Sequence, residues 1–364
     1  MVGMDHTWVT EQLARIDPDA VAEVVAEASV VGLGVSTREA REPFQVAVDI
    51  TRGLVERGFR VLAFLDNPRV VDRYDRYAAG EDVDLMAALG QAWGPWRTRE
   101  VVEALAWVRG WNARHPGDRV RVIGVGPSRA LPGDYDRVLD AAGAPPRVVE
   151  LFGVIRTAHD AGEHVLRASG THPGTPFVEL AREAQRLLGP LDPTTDALVA
   201  GIVEHHANAI GVGYDAEAEE RAAANRLLTA ADQGVVLWEG SAHVAATGHM
   251  AGGHLRRALS TGYAAVHITF GTGHLRGFDV PAPAAGSLED VLLRAGGPRT
   301  LVPAADTPDG PLRTRLIAGV YEPAKDAGAY HRLPSLRAAF DAVVFLPEVT
   351  PVRPLPVAVA PTGL

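Results

Sequence analysis

His243 lies just beyond an apolar run, in Leu237-Trp238-Glu239-Gly240-Ser241-Ala242-His243-Val244, so a titratable imidazole sits near the end of what reads as a buried strand. Arg38 and Arg41 follow a second such run, Val30 to Val35, and Asp66 closes a third that starts at Gly58. If these runs are neighbouring strands, an imidazole, two permanent cations and a carboxylate converge on one crevice. Arginines hold carboxylates or developing oxyanions, and a histidine or an aspartate transfers protons. The set therefore points to acid–base chemistry, with His243, Asp66 and Arg38 as catalytic candidates and Arg41 and Glu239 as substrate contacts. Trp93 and Trp96 stand at a helix start, where they either line an apolar substrate pocket or pack into the core. Ser128 follows a strand-closing glycine turn and is a further polar candidate for substrate binding. No Gly-x-Ser-x-Gly elbow surrounds Ser36, Ser128 or Ser241, so a serine nucleophile is not specified.

Other chemistries are less well supplied. Gly32-x-Gly34 after a strand invites a dinucleotide site, but Thr37 stands where a third glycine belongs, and Asp66 follows too long a helix to serve as the ribose-binding acid. Among the thirteen histidines, His205-His206 and the series His243, His249, His254 lack the helical i, i+4 pairing of a metal site, and there is no cysteine. No metal and no cofactor is expected.

The elements that must position these residues alternate. Strands are predicted at 29–34, 58–66, 120–125, 234–238, 263–270 and 342–346, where short apolar, β-branched runs end in glycine or Asx turns. Helices are predicted between them, among them 39–57, capped by Ser36 or Thr37, and 249–260. Glycines 32 and 34 are read as freeing the backbone for a tight turn. The fold class is α/β, a mostly parallel central sheet flanked by helices with a helical insertion. Residues 1–132 form an N-terminal α/β part, 133–232 the insertion, and 233–364 a C-terminal part completing the same sheet. The prolines after Val349 make the tail an extended strap.

With 364 residues, 22% charged and 47% hydrophobic, the composition is that of a globular chain with a sizeable core. A net charge of −10 argues against a nucleic-acid partner. No apolar run is long enough to span a bilayer and Met1 to Ala20 is not a signal peptide, so a cytoplasmic protein with no membrane partner is expected.

The order of these motifs resembles the erythromycin esterase family, hydrolases that open macrolide lactones. The family's first motif falls on Gly34 to Glu42, its acidic second-strand end on Ala63 to Asp66, and its tryptophan box on Trp93 to Val101. Further matches fall on Trp107 to Asn112, on Arg221 and Asn225, on Trp238 to Val244, on Gly252 to Leu255, and on Phe340-Asp341-Ala342. The resemblance implies a glutamate and a histidine in the first motif, a glutamate ending the second strand and a histidine in the later motif, which together activate a water without a metal. Those positions are Val35, Arg38, Leu65 and Gly240 in this chain. Arginine cannot take a proton from water, and valine, leucine and glycine cannot replace the rest. Arg41, Glu42 and His243 are retained, and Asp66 and Glu239 stand one residue from lost positions.

Two readings follow. One is a diverged enzyme tailoring a natural product, a small-molecule or peptide-like substrate, by metal-independent and non-hydrolytic chemistry such as cyclisation, isomerisation, elimination or acyl chemistry. The other is a non-catalytic member that binds a metabolite or a partner; a residual esterase is the remaining alternative.

Overall fold

The computed structural model describes residues 14–15, 18–25, 27–127, 129–156, 161–209, 216–296, 299–317 and 321–356. Two compact units emerge, one made of residues 1–126 with 219–364 and the other Pro127–Ala218.

The first unit is built on one sheet. Its strands are β1 (Ala14–Arg15), β2 (Val30–Val35), β3 (Val61–Phe64), β4 (Arg121–Gly124), β5 (Val235–Gly240), β6 (Tyr263–Leu275), β7 (Phe278–Val280), β8 (Thr300–Pro303) and β11 (Ala342–Val349); β9 (Leu312–Arg315) and β10 (Tyr330–Leu333) pair separately. The order is β4-β3-β5-β2-β6-β11-β8-β1, with β7 on the end of β6. All pairings from β4 to β11 are parallel, while β8 pairs antiparallel with β11, β1 antiparallel with β8 and β7 antiparallel with β6. Every residue of β2 and β5 is buried, as helices on both faces require, and this is why each reads as a continuous apolar run. The fold is α/β, with a mostly parallel central sheet flanked by helices. No described helix is long and apolar enough to cross a membrane.

Glycines 32 and 34 act by close approach. Both lie inside β2, neither has positive φ, and the one-turn helix Ser241–Val244 presses directly on them. A Cβ on Gly32 would meet Tyr263 Oη at 2.5 Å, and one on Gly34 would meet Val244 Cγ2 at 2.3 Å and Ser241 Cα at 2.8 Å. The glycines thus seat the turn that carries His243. The following helix, Arg41–Glu56, starts from Ala40 without a side-chain cap, and Thr37 Oγ1 instead accepts the Glu39 N–H.

After Val349 the chain runs extended across the starts of two helices. Thr350 Oγ1 donates to Glu42 and accepts from Arg41, Val352 N–H bonds the Glu39 carbonyl, and Arg353 pairs with Glu100 and Glu103 near the start of helix Arg99–Arg114.

The second unit is helical, with Pro132–Ala142, Pro146–Ile155, Ala161–Ala168, Phe177–Leu188 and Pro193–Ala209. Tyr135, Val138, Val148, Leu151, Phe152, Phe177 and Ile202 form its core. Its limits, 127 and 218, differ from the expected 133 and 232. Helix Ala216–Leu228 places Ala223, Ala224 and Leu227 in the core beneath the sheet, so most of that helix belongs to the α/β unit.

Candidate active site

Parallel register brings the sequence-distant candidates together. Gly34 lies opposite Glu239 and Val35 opposite Gly240, and Phe64 is opposite Trp238 on the other side of β5. The carboxyl ends of β2, β5 and β3 are therefore adjacent, and the polar residues that follow them share one rim.

Arg38 occupies the centre. Its guanidinium forms an ion pair with Glu239, whose side chain is 1% exposed against 12% for Arg38. The guanidinium carbon stands 4.7 Å from the Trp93 ring and 5.7 Å from the Trp96 ring, a cation–π arrangement. Burial lowers the Arg38 pKa to about 10, with the Glu220 charge opposing, so the group stays cationic at neutral pH. A Cβ at Gly240 would lie 2.9 Å from Nη2 and 3.2 Å from Cζ of Arg38. Arginine from position 38 thus fills volume that a side chain at 240 would claim, and a larger residue there would have to displace the guanidinium. Gly240→His alone is expected to destabilise the fold by about 1–3 kcal/mol through overpacking. Combined with Arg38→His it should fall short of the summed single effects by about 1 kcal/mol or more, a coupling that urea unfolding of the three variants measures.

His243 completes the site. Its Nδ1 lies 2.7 Å from Glu220 Oε1, and its Nε2 lies 3.8 Å from Glu239 Oε1. Glu220 Oε2 accepts the Ala251 N–H, which fixes the carboxylate that orients the ring. At 28% side-chain exposure the imidazole is reachable from solvent. Glu220 lies on helix Ala216–Leu228, far from His243 in the chain, and no motif marked it.

The structure thus joins Arg38, Glu239, His243 and Trp93, and gives the other candidates different work. Asp66 is 4% exposed and accepts the Asn67 N–H on Oδ1 at 2.7 Å and the Trp93 N–H on Oδ2 at 3.0 Å. A carboxylate held by two main-chain donors positions the Trp93 loop and is poorly placed to exchange protons. Arg41, expected beside Arg38, turns to Thr350 and to Glu42, where it pins the C-terminal strap. Trp96, 1% exposed, packs edge-on against Phe64 and Phe44 in the core. Ser128 lies outside the described residues. In the helical unit His206 is a core residue bonded to Tyr135 Oη, and burial, aided by Arg129 and His164, lowers the His205 pKa to about 4. No group of three or more potential metal ligands converges among the described residues.

A mostly parallel α/β sheet with a charged cluster at its carboxyl edge defines the class as an open-sheet α/β protein. The erythromycin esterase profile matches residues 54–204 and 215–349, and the chain belongs to that family. Three solved structures share the fold. A Bacillus cereus protein is 16% identical over 96% of this chain and 98% of its own, with a TM-score of 0.68. A succinoglycan biosynthesis protein is 17% identical over 96% and 97%, with a TM-score of 0.67. A mutant of the erythromycin esterase EreC in its open conformation is 16% identical over 94% and 96%, with a TM-score of 0.59. A comparison with curated proteins gives no match.

Proposed function

We propose that this chain is a diverged erythromycin-esterase-like enzyme that tailors a natural product by metal-independent, non-hydrolytic acid–base chemistry. His243 is the proton carrier, held by Glu220 so that Nε2 is the atom offered to substrate. Arg38 sits beside it as a permanent donor for an oxygen that gains charge, as in enolisation or elimination next to a carbonyl. The observation that carries the reading is the Arg38–Gly240 exchange, which removes both histidines that the family resemblance implies while a carboxylate–imidazole dyad persists at the same rim. A non-catalytic, ligand-binding member is the second reading. It is favoured by the ion pair itself, since Glu239 already neutralises the arginine.

Incubating the protein in D2O with erythromycin and a panel of β-keto esters, followed by mass spectrometry, separates these readings. Deuterium uptake faster than in a protein-free control, without gain of water and reduced to the control rate in His243→Ala, is the expected result. Addition of one water at about 1 per second or faster would identify an esterase. No change in any substrate would favour the binding role.

A further inference from the structure

Arg38 and Trp93 meet as side chains, but their loops leave different parts of the sheet. Arg38 follows β2, the Trp93 loop is anchored to Asp66 just past β3, and β5 lies between those strands. The chain after Val349 ties the two loops together. On the Arg38 side the Thr350 carbonyl accepts the Arg41 N–H at 2.9 Å, and the Val352 N–H donates to the Glu39 carbonyl at 3.0 Å. Three residues on, the pattern repeats on the Trp93 side: the Arg353 carbonyl accepts the Arg99 N–H at 2.9 Å, and the Leu355 N–H donates to the Arg97 carbonyl at 2.9 Å. Arg97 closes the link, because its Nε donates to the carbonyl of Ala92, the residue before Trp93. Glu39, beside Arg38, is thus joined to Ala92, beside Trp93, through three residues of extended chain that span about 10 Å.

The sequence of the strap suits this work. Pro351 and Pro354 stand opposite Ala40 and Thr98 at two antiparallel bridges, where the flanking residues make the hydrogen bonds. A missing N–H costs nothing at those positions, and the proline rings keep the chain extended. Val352 and Leu355 are buried. The side chains that hold the strap come from the motifs that carry the site, yet take no part in the chemistry proposed for it. Arg41 and Glu42 of the first motif bond Thr350, and Glu100 of the tryptophan box pairs with Arg353. An arm that only stabilised the fold could dock on either loop; one that docks on both in alternation fixes the distance between them.

We propose that Thr350–Leu355 is a splint that holds the Trp93 ring over the Arg38 guanidinium, with Thr350 and Arg353 as positioning residues, so that Arg38 presents one fixed geometry to substrate. This rests on the proposed function only for the role of Arg38, since the stack exists without turnover. NMR of the Arg38 Nε–H, assigned with Arg38→Lys, reports the stack through the ring-current shift from Trp93, and Trp93→Leu marks the position of the signal without the indole. In Thr350→Val/Arg353→Met, which removes side-chain anchors and leaves the main chain intact, the signal should move at least about halfway to that position. Thr350→Ser/Arg353→Lys, which keeps a hydroxyl and a cation, should restore it. Val138→Ala, a core truncation in the helical unit, should leave it in place. The proposal is overturned if the signal of the folded Val/Met variant stays native, if the conservative pair fails to restore it, or if Val138→Ala moves it as far. Should the Val/Met variant not fold, native-state hydrogen exchange decides: the N–H groups of Arg41, Val352, Arg99 and Leu355 should have protection factors within about tenfold of one another. A larger gap between the first two and the last two would mean that the strap opens in independent pieces and couples nothing. Deuterium uptake by substrate is scored separately, so failure of the splint and failure of the catalytic reading are distinguishable.

Discussion

Arg38→Met is expected to lower the unfolding free energy by about 3–5 kcal/mol, because it removes the guanidinium paired with the buried Glu239 carboxyl group and leaves only the partly exposed His243 imidazole, 3.8 Å away, to face it. The Glu239 side chain is 1% exposed, so water cannot rehydrate it without opening the rim. Glu239→Leu should be damaging for the mirror-image reason, since it strands a guanidinium whose pKa burial already lowers to about 10. The double variant Arg38→Met/Glu239→Leu should recover most of the loss, because an apolar pair of similar volume carries no desolvation penalty. Urea unfolding of the four proteins closes the cycle. Additive losses in the double variant would mean that the two residues act independently and that the pair does not organise the rim. Activity should stay absent in the double variant even with stability restored, which separates the pair's structural role from the catalytic role proposed for Arg38.

How far the sequence could be read follows from the same physics. Strands buried on both faces announce themselves as apolar runs, and each of the six predicted from such runs corresponds to one of β2, β3, β4, β5, β6 and β11. The short antiparallel additions, β1, β7, β8 and the β9–β10 hairpin, are two to four residues long, and β8 ends in Pro303, so no periodicity had room to develop. Glycine in β2 was read as backbone freedom, when the requirement is space for Val244 and Ser241, which depends on a contact more than 200 residues away in the chain. The site divides in the same way. His243 and Arg38 lie together at the rim, as their positions just past the ends of two apolar runs implied once those strands proved adjacent. Asp66 and Arg41 satisfied the same criteria, yet nothing local reveals that their partners are the Trp93 N–H and Thr350. Asp341, in a retained family motif, likewise holds the Ala265 N–H and Arg256. Glu220 left no local signal, since an acidic residue among other glutamates on a helix resembles a solvated face until the fold sets it against His243.

A buried relay behind the site makes stability depend on pH. His267 is fully buried on β6, with Nδ1 2.7 Å from Ser241 Oγ and Nε2 2.6 Å from Thr314 Oγ1. Ser241 spends its one hydroxyl hydrogen on the Gly34 carbonyl, so it accepts from Nδ1–H of the imidazole, and Nε2 must then accept from Thr314. Thr314 Oγ1 also lies 2.5 Å from Glu289 Oε1, an oxygen that accepts from Thr269 Oγ1 and from the Arg315 N–H as well. The electrostatics agree: burial, with a smaller effect from His331, lowers the His267 pKa to about 3, and burial raises that of Glu289 against its hydrogen bonds. The folded relay thus holds a neutral imidazole beside a carboxyl group whose pKa is displaced upwards. In the unfolded chain the histidine titrates at its ordinary 6.5 and the glutamate at its ordinary 4.5. His267 therefore makes stability fall as pH drops from 6.5 towards about 3, because the unfolded state binds a proton that the buried imidazole does not. Glu289 acts in the opposite sense: its contribution is full below its unfolded value and is lost as pH rises through its raised folded value, which offsets part of the histidine slope. Glu289→Gln removes one side of the balance. Unfolding of the variant then takes up a proton at every pH between 6.5 and about 3, a slope of about 1.4 kcal/mol per pH unit. Glu289→Gln should therefore be about 3 kcal/mol less stable at pH 4.5 than at pH 6.5, and the native protein should lose less over the same range because the raised Glu289 opposes the histidine. Chemical denaturation of both proteins at pH 4.5, 6.5 and 8.5 measures the difference. Parallel stability curves would show that Glu289 is ionised in the folded protein and that the relay is ordered the other way, with Thr314 donating to a carboxylate.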